Sequence, residues 1–195
     1  MPPKPKITRE MVLDAAFELV RREGQAALNV RTLARRLNCS TQPILYTFAT
    51  VEALRAAVYE RADDFHTAYV LPKGAEGPEA LLQLGLNYVR FGHEEGHLFR
   101  FLFESNQFGG MDMNALVQWP GVGELVNILA QGLGCQAEAA RQVFLTFFAV
   151  AHGLGSLLAN NAMAYDENEC AKMLETVFFG ALARIKEGEE NAETL

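Results

Sequence analysis

The stretch Asn29–Phe48, NVRTLARRLNCSTQPILYTF, most narrows the folds open to this chain. It reads as two short helices joined by a tight turn, a helix-turn-helix. Asn29 is an N-cap whose side-chain oxygen can satisfy a free N–H of the first turn. Val30, Leu33, Ala34 and Leu37 recur at helical spacing and form one apolar stripe. Arg31, Arg35 and Arg36 lie off that stripe. Asn38 follows the last apolar residue, and asparagine tolerates the left-handed backbone that ends a helix. Ser40 is a second N-cap position. Thr41, Gln42 and Pro43 fill the next first turn, where a proline costs little. Ile44 and Phe48 point inward, and the small Ala34 lets the two helices cross closely.

The segment before this pair supplies its roof. Thr8 caps a helix over Arg9–Glu23, with Met11, Val12, Ala15, Ala16, Leu19 and Val20 as its stripe and Gly24 as its stop. Thr50 caps a fourth helix that runs to about Tyr69, with Leu54, Val58, Phe65 and Tyr69 on one face. Pro72 and the run Gly74–Pro78 form the first break. Further helices are expected over 78–94, 97–104, 122–132, 137–160 and 167–186. Residues 105–121 read as a loop rich in large apolar residues, a flap candidate through Phe108, Met111, Met113 and Trp119. Residues 187–195 read as a polar, acidic, frayed tail. No strand is predicted, so the fold class is all-α.

Charge separates along the chain. Its net charge is −7, which by itself argues against nucleic acid. Yet residues 1–50 hold eight Lys/Arg against four acids, a balance of +4, and residues 51–195 hold nine against twenty, a balance of −11. A basic end on an acidic body fits a DNA-binding head on a domain that avoids DNA. In that reading the second short helix enters the major groove. Thr41, Gln42 and Thr47 suit base edges, and glutamine can bond adenine bidentately. Arg31, Ser40 and Tyr46 suit phosphate oxygens. The prolines and lysines of residues 1–7 form an arm that either touches phosphates or stays disordered.

These residues resemble the TetR/AcrR family of bacterial transcriptional regulators. The match rests on VLDAAFELVRREG, on NVRTLARRLNCS against the pattern T-x-R-x-I-A…G-V-S, and on ILYTFATVEALRAAVYE against L-Y-x-x-F-x-x-K-E-x-L. It covers residues 8–62 without a gap; beyond them the likeness is one of length and helical character. Two positions depart. Leu45 stands where the family usually has a phosphate-binding tyrosine, with Tyr46 one place later, and Val51 stands where it has a lysine.

The resemblance implies a homodimeric repressor released from a palindromic, double-stranded operator by a small-molecule effector. It implies a three-helix head over residues 1–49 and an effector-binding and dimerisation domain over 50–195, with helix 50–70 as the link. An effector pocket is expected to be apolar with few polar groups. Tyr69, Tyr88, Phe91, Phe103, Trp119, Phe147, Phe148 and His152 are its candidate lining, which favours an apolar or aromatic effector; each also reads as ordinary core. The last helix is apolar on more sides than one core requires, which points to a partner surface. Phe144, Val177, Phe178, Ala181, Leu182 and Ile185 are the candidate dimer interface.

Other chemistry is weakly signalled. Cys39, Cys135 and Cys170 are far apart and form no C-x-x-C, which fits free thiols in a reducing cytoplasm. The most apolar run, Val143–Leu158, is interrupted by Thr146, His152 and Ser156, so neither a membrane span nor membrane association is expected. His93-Glu94-Glu95-Gly96-His97 matches H-E-x-x-H, whose two histidines bind zinc from one continuous helix. Gly96 reads as a helix stop and no third ligand is identifiable, so no metal, cofactor or enzymatic activity is expected. Two alternatives stay open: a zinc-dependent hydrolase using His93, Glu94 and His97, and a DNA-binding dimer without effector.

Overall fold

A computed structural model describes residues 7–72, 74, 77–104, 110, 112–118 and 121–193. Among them the chain is all-helical: α1 (Arg9–Glu23), α2 (Val30–Arg36), α3 (Thr41–Thr47), α4 (Val51–Val70), α5 (Gly77–Glu94), α6 (Gly96–Phe103), α7 (Val122–Leu133), α8 (Ala137–Asn161) and α9 (Glu167–Glu193). Short 3-10 turns lie at Gln25–Ala27 and Ala115–Gln118. The chain forms two compact units. The first takes in Met1–Ala68 and Glu95–Gln107, the second Tyr69–Glu94 and Phe108–Leu195.

In the first unit, caps set the helix starts. Thr8 Oγ1 accepts from the Met11 N–H at 3.2 Å, Asn29 Oδ1 from Thr32 at 2.9 Å and Thr50 Oγ1 from Ala53 at 3.0 Å. Ser40 occupies the cap position of α3, but its side chain makes no capping bond. Gly24 closes α1 at φ 83°, and Asn38 ends the α2 region at φ 49°. The buried set of α1 differs from its predicted stripe: Leu13 and Phe17 are buried and Met11 is exposed. The reason is that α1 is covered from two directions. It meets α2 and α3 on one side and α6 on another. Phe17 also stacks edge-on with Phe65 of α4, centroids 5.6 Å apart.

α6 belongs to this unit through specific contacts. The Arg21 guanidinium lies 4.8 Å over the Phe65 ring and donates from Nε to both oxygens of Glu95, at 3.0 and 2.8 Å. Tyr59 packs edge-on against Phe101, and His66 against Phe103.

In the second unit α5 and α8 cross at glycines. A Cβ on Gly92 would stand 2.6 Å from the Gly155 carbonyl oxygen, so the backbones touch. α5, α7 and α9 pack around α8. By length and composition α8 could cross a bilayer despite its polar interruptions, with a mean hydropathy of 1.6 over its most apolar window. Val143, Phe144, Leu145, Phe147 and Ala151 are buried in the helical packing, and a third of that window is buried in all. α9 continues to Glu193, past the predicted end near 186, so residues 187–193 are helical rather than frayed. The four glutamates and Ala192 of that segment favour helix, against Gly188 and Asn191. The flap residues Phe108, Met111 and Trp119 lie outside the described residues; Met113 is exposed.

Candidate functional site

α3 presents a clear outer face. Ile44 and Phe48 are buried and fix its inward direction. At about 100° per residue, Gln42 and Tyr46 stand opposite them, one turn apart. Both are exposed, Tyr46 at 91%. Thr41, Ser40 and Arg31 are exposed too. Thr47 is half-buried, and its hydroxyl donates to the Ile44 carbonyl at 2.9 Å, so it is turned partly toward its own helix. Arg9 lies 4.4 Å over the Phe48 ring and ties the start of α1 to the end of α3.

The electrostatics of the head follow from which charges are neutralised. All four acids of the first fifty residues face arginines: Glu10 and Asp14 face Arg61, Glu18 faces Arg21 and Arg22, and Glu23 faces Arg36. Hydrogen bonds to carboxylates raise the already high Arg61 and Arg21 pKa values, chiefly Glu10 for Arg61 and, from outside these four acids, Glu95 for Arg21. Arg31 and Arg35 have no carboxylate partner among the described residues. Arg35 donates to the Thr32 hydroxyl at 3.3 Å. The α2–α3 surface therefore keeps net positive charge, which phosphate binding requires. Arg35 joins this surface although the sequence pattern did not single it out as a contact residue. The signal for it is the run Gly24–Val51, which contains no Asp or Glu.

The expected effector lining divides. Tyr88, Phe148 and His152 come together: the Tyr88 hydroxyl lies 2.9 Å from His152 Nδ1 and its ring 5.8 Å from Phe148. Tyr88 is buried, and burial pushes its phenol far above the ordinary range. Tyr69 packs edge-on against the buried Phe91, and its hydroxyl donates to Glu94 at 2.6 Å. Phe147 turns toward α9, edge-on to Phe178 and against Gly85. Phe103 belongs to the first unit, beside His66. Trp119 lies outside the described residues. Two described clefts lie elsewhere. One of about 430 Å³ is lined by Arg55, Tyr59 and Phe101, and one of about 190 Å³ by Leu82, Leu86 and Leu174.

Two of the expected dimer residues are internal. Phe178 is fully buried and Phe144 nearly so, because both pack within the chain's own unit, Phe144 stacked on Phe148. Val177, Ala181, Leu182 and Ile185 are half-buried. Leu157, Met173 and Phe179 are exposed instead, and spacing does not mark them, since the helical period alone does not say which of two apolar faces turns outward.

The H-E-x-x-H string does not stand on one helix. α5 ends at Glu94 and Glu95 breaks the path at φ −117°, ψ 41° before α6 begins. His93 stacks on Tyr165 at 4.8 Å, and His97 Nδ1 accepts from Arg100 at 2.8 Å. No group of three or more metal-ligating side chains occurs among the described residues.

In fold, the chain is like solved bacterial transcriptional regulators. It is similar to a TetR-like transcriptional regulator from Rhodococcus sp. RHA1, with 16% identity and a TM-score of 0.61 over 93% of this chain and 99% of that one. It is similar to a TetR-family transcriptional regulator from Streptomyces coelicolor, with 15% identity and a TM-score of 0.65 over 92% of this chain and 88% of that one. No family model and no curated protein matches the sequence.

Proposed function

We propose that this TetR-like fold serves as a homodimeric transcriptional repressor, with residues 1–49 binding a palindromic operator and the body binding a small apolar or aromatic effector. The observation that carries the reading is the outer face of α3: Gln42 and Tyr46 project to solvent, and α2, which packs on α3, carries exposed Arg31 and Arg35, neutralised by no carboxylate among the described residues. Gln42 reads a base edge; Tyr46, Arg31 and Ser40 hold phosphates.

Dimerisation through α8 and α9 is supported by two exposed glycines inside those helices. A Cβ on Gly153 or Gly180 would meet nothing within 4 Å, so the chain's own packing does not require glycine there. A close partner helix does. Exposed Leu157, Met173 and Phe179 flank them, with Val177, Ala181, Leu182 and Ile185 partly accessible. For the effector, the Tyr88–His152 pair supplies a polar anchor among Phe148 and its apolar neighbours. An effector that favours one head spacing lowers operator affinity by its own coupling factor. Such a protein works in the cytoplasm, where its operator is.

Selection of duplexes from a random library by the full chain, at two salt concentrations, tests the proposal. The expected result is a palindrome with half-sites about 34–36 Å apart or a multiple, bound less tightly as salt rises. Failure to enrich any sequence at either salt concentration would overturn it.

A further inference from the structure

Leu45 is 47% exposed on α3, three residues after Gln42 and next to Tyr46. The other exposed residues of this helix, Thr41, Gln42 and Tyr46, can all hydrogen-bond; Leu45 cannot. Nor does the fold need it, because Ile44 and Phe48 supply the inward side of α3. At about 100° per residue Leu45 lies on the flank of α3, about 60° round from Gln42, where it can offer an apolar contact to the partner that Gln42 meets. The major groove offers one apolar feature on its base edges, the C5-methyl group of a pyrimidine.

We propose that Leu45 is a specificity-determining residue that reads the methyl group of a thymine, in a base pair next to the one contacted by Gln42. The inference rests on the DNA-binding reading above and sharpens it. Gln42 bonds the N6 and N7 edge of an adenine while Leu45 covers the neighbouring thymine methyl, so the outer face of α3 recognises an A·T-containing step. The geometry is that of adjacent side chains on one helix face, which meet adjacent base pairs along the groove.

The test uses the full-length chain and the duplex it selects. Each thymine of a half-site is replaced in turn by uracil, which removes only the methyl group. Wild type is expected to lose about three- to fivefold in affinity at one thymine per half-site, the effect of uncovering one methyl group. Leu45→Ala is expected to bind the thymine duplex more weakly and to show no thymine–uracil difference at that position. Equal binding of thymine and uracil at every position overturns the inference, as does an undiminished difference in Leu45→Ala; either leaves the DNA-binding reading intact. A methyl effect found at 5-methylcytosine alone overturns the thymine assignment. If no duplex is bound, the DNA-binding reading falls and this inference with it.

Discussion

His66 sits on α4 with its ring edge-on to Phe103, centroids 5.1 Å apart, and burial lowers its pKa to about 4. In the unfolded chain an imidazole titrates near 6.5. Between these values the unfolded state binds the proton and the folded state does not. The His66 contribution to stability is therefore complete above about pH 6.5 and falls as the pH drops toward 4, by about 2 kcal/mol at pH 4.5. Denaturant titrations at pH 7 and pH 4.5 check this, and His66→Phe is expected to flatten the difference. On α3 the predictions concern binding. Gln42→Ala is expected to relax preference at one base pair per half-site by about 1–3 kcal/mol, because the bidentate bonding to adenine is removed. Tyr46→Phe removes the hydroxyl proposed as a neutral phosphate donor. It is expected to weaken all sequences alike and leave the salt slope unchanged, as competitive binding assays at several salt concentrations would reveal.

At the scale of elements, glycines separate packing inside the chain from packing outside it. Gly92 lies against Gly155, and its Cβ would meet backbone that cannot move aside cheaply. Gly92→Ala is expected to push α5 from α8 and destabilise the fold by about 1–3 kcal/mol. Gly153 faces open space on the same α8. Gly153→Ala is expected to stabilise the helix by up to about 1 kcal/mol while weakening self-association. Thermal melts and sedimentation equilibrium of both variants distinguish the two roles. If Gly153→Ala leaves association unchanged, Gly153 is not at the proposed interface. The break at Glu95 is also an element-scale feature. It turns a five-residue metal motif into the end of one helix and the start of another.

For the whole molecule, the acidic body and basic head make salt the first variable. Operator affinity is expected to fall with rising salt, with a log–log slope set by the number of phosphates neutralised. Substituting Arg31 or Arg35 by alanine is expected to lower that slope by about one for each phosphate the bound protein no longer neutralises. Titrations at four or more salt concentrations measure the slope directly.

Helix positions were largely legible in the sequence. Thr8, Asn29 and Thr50 as caps, Gly24 and Asn38 as stops, and the spacing of Leu33, Ala34, Ile44 and Phe48 are local signals, and local signals survive without knowledge of the fold. The all-α class and the charge division follow from the same information. Packing partners were not legible. Periodicity marks an apolar residue but not the helix it meets, so Phe144 and Phe178 read as partner surface while nothing in the spacing sets Leu157 and Phe179 apart. The aromatic lining expected of one pocket was likewise divided, with Phe103 beside His66 in one unit and Tyr88 bonded to His152 in the other. Local spacing sets where a helix begins, ends and turns apolar. Which apolar faces are covered, and by what, depends on residues far apart in the chain meeting in space, and only the tertiary structure decides that.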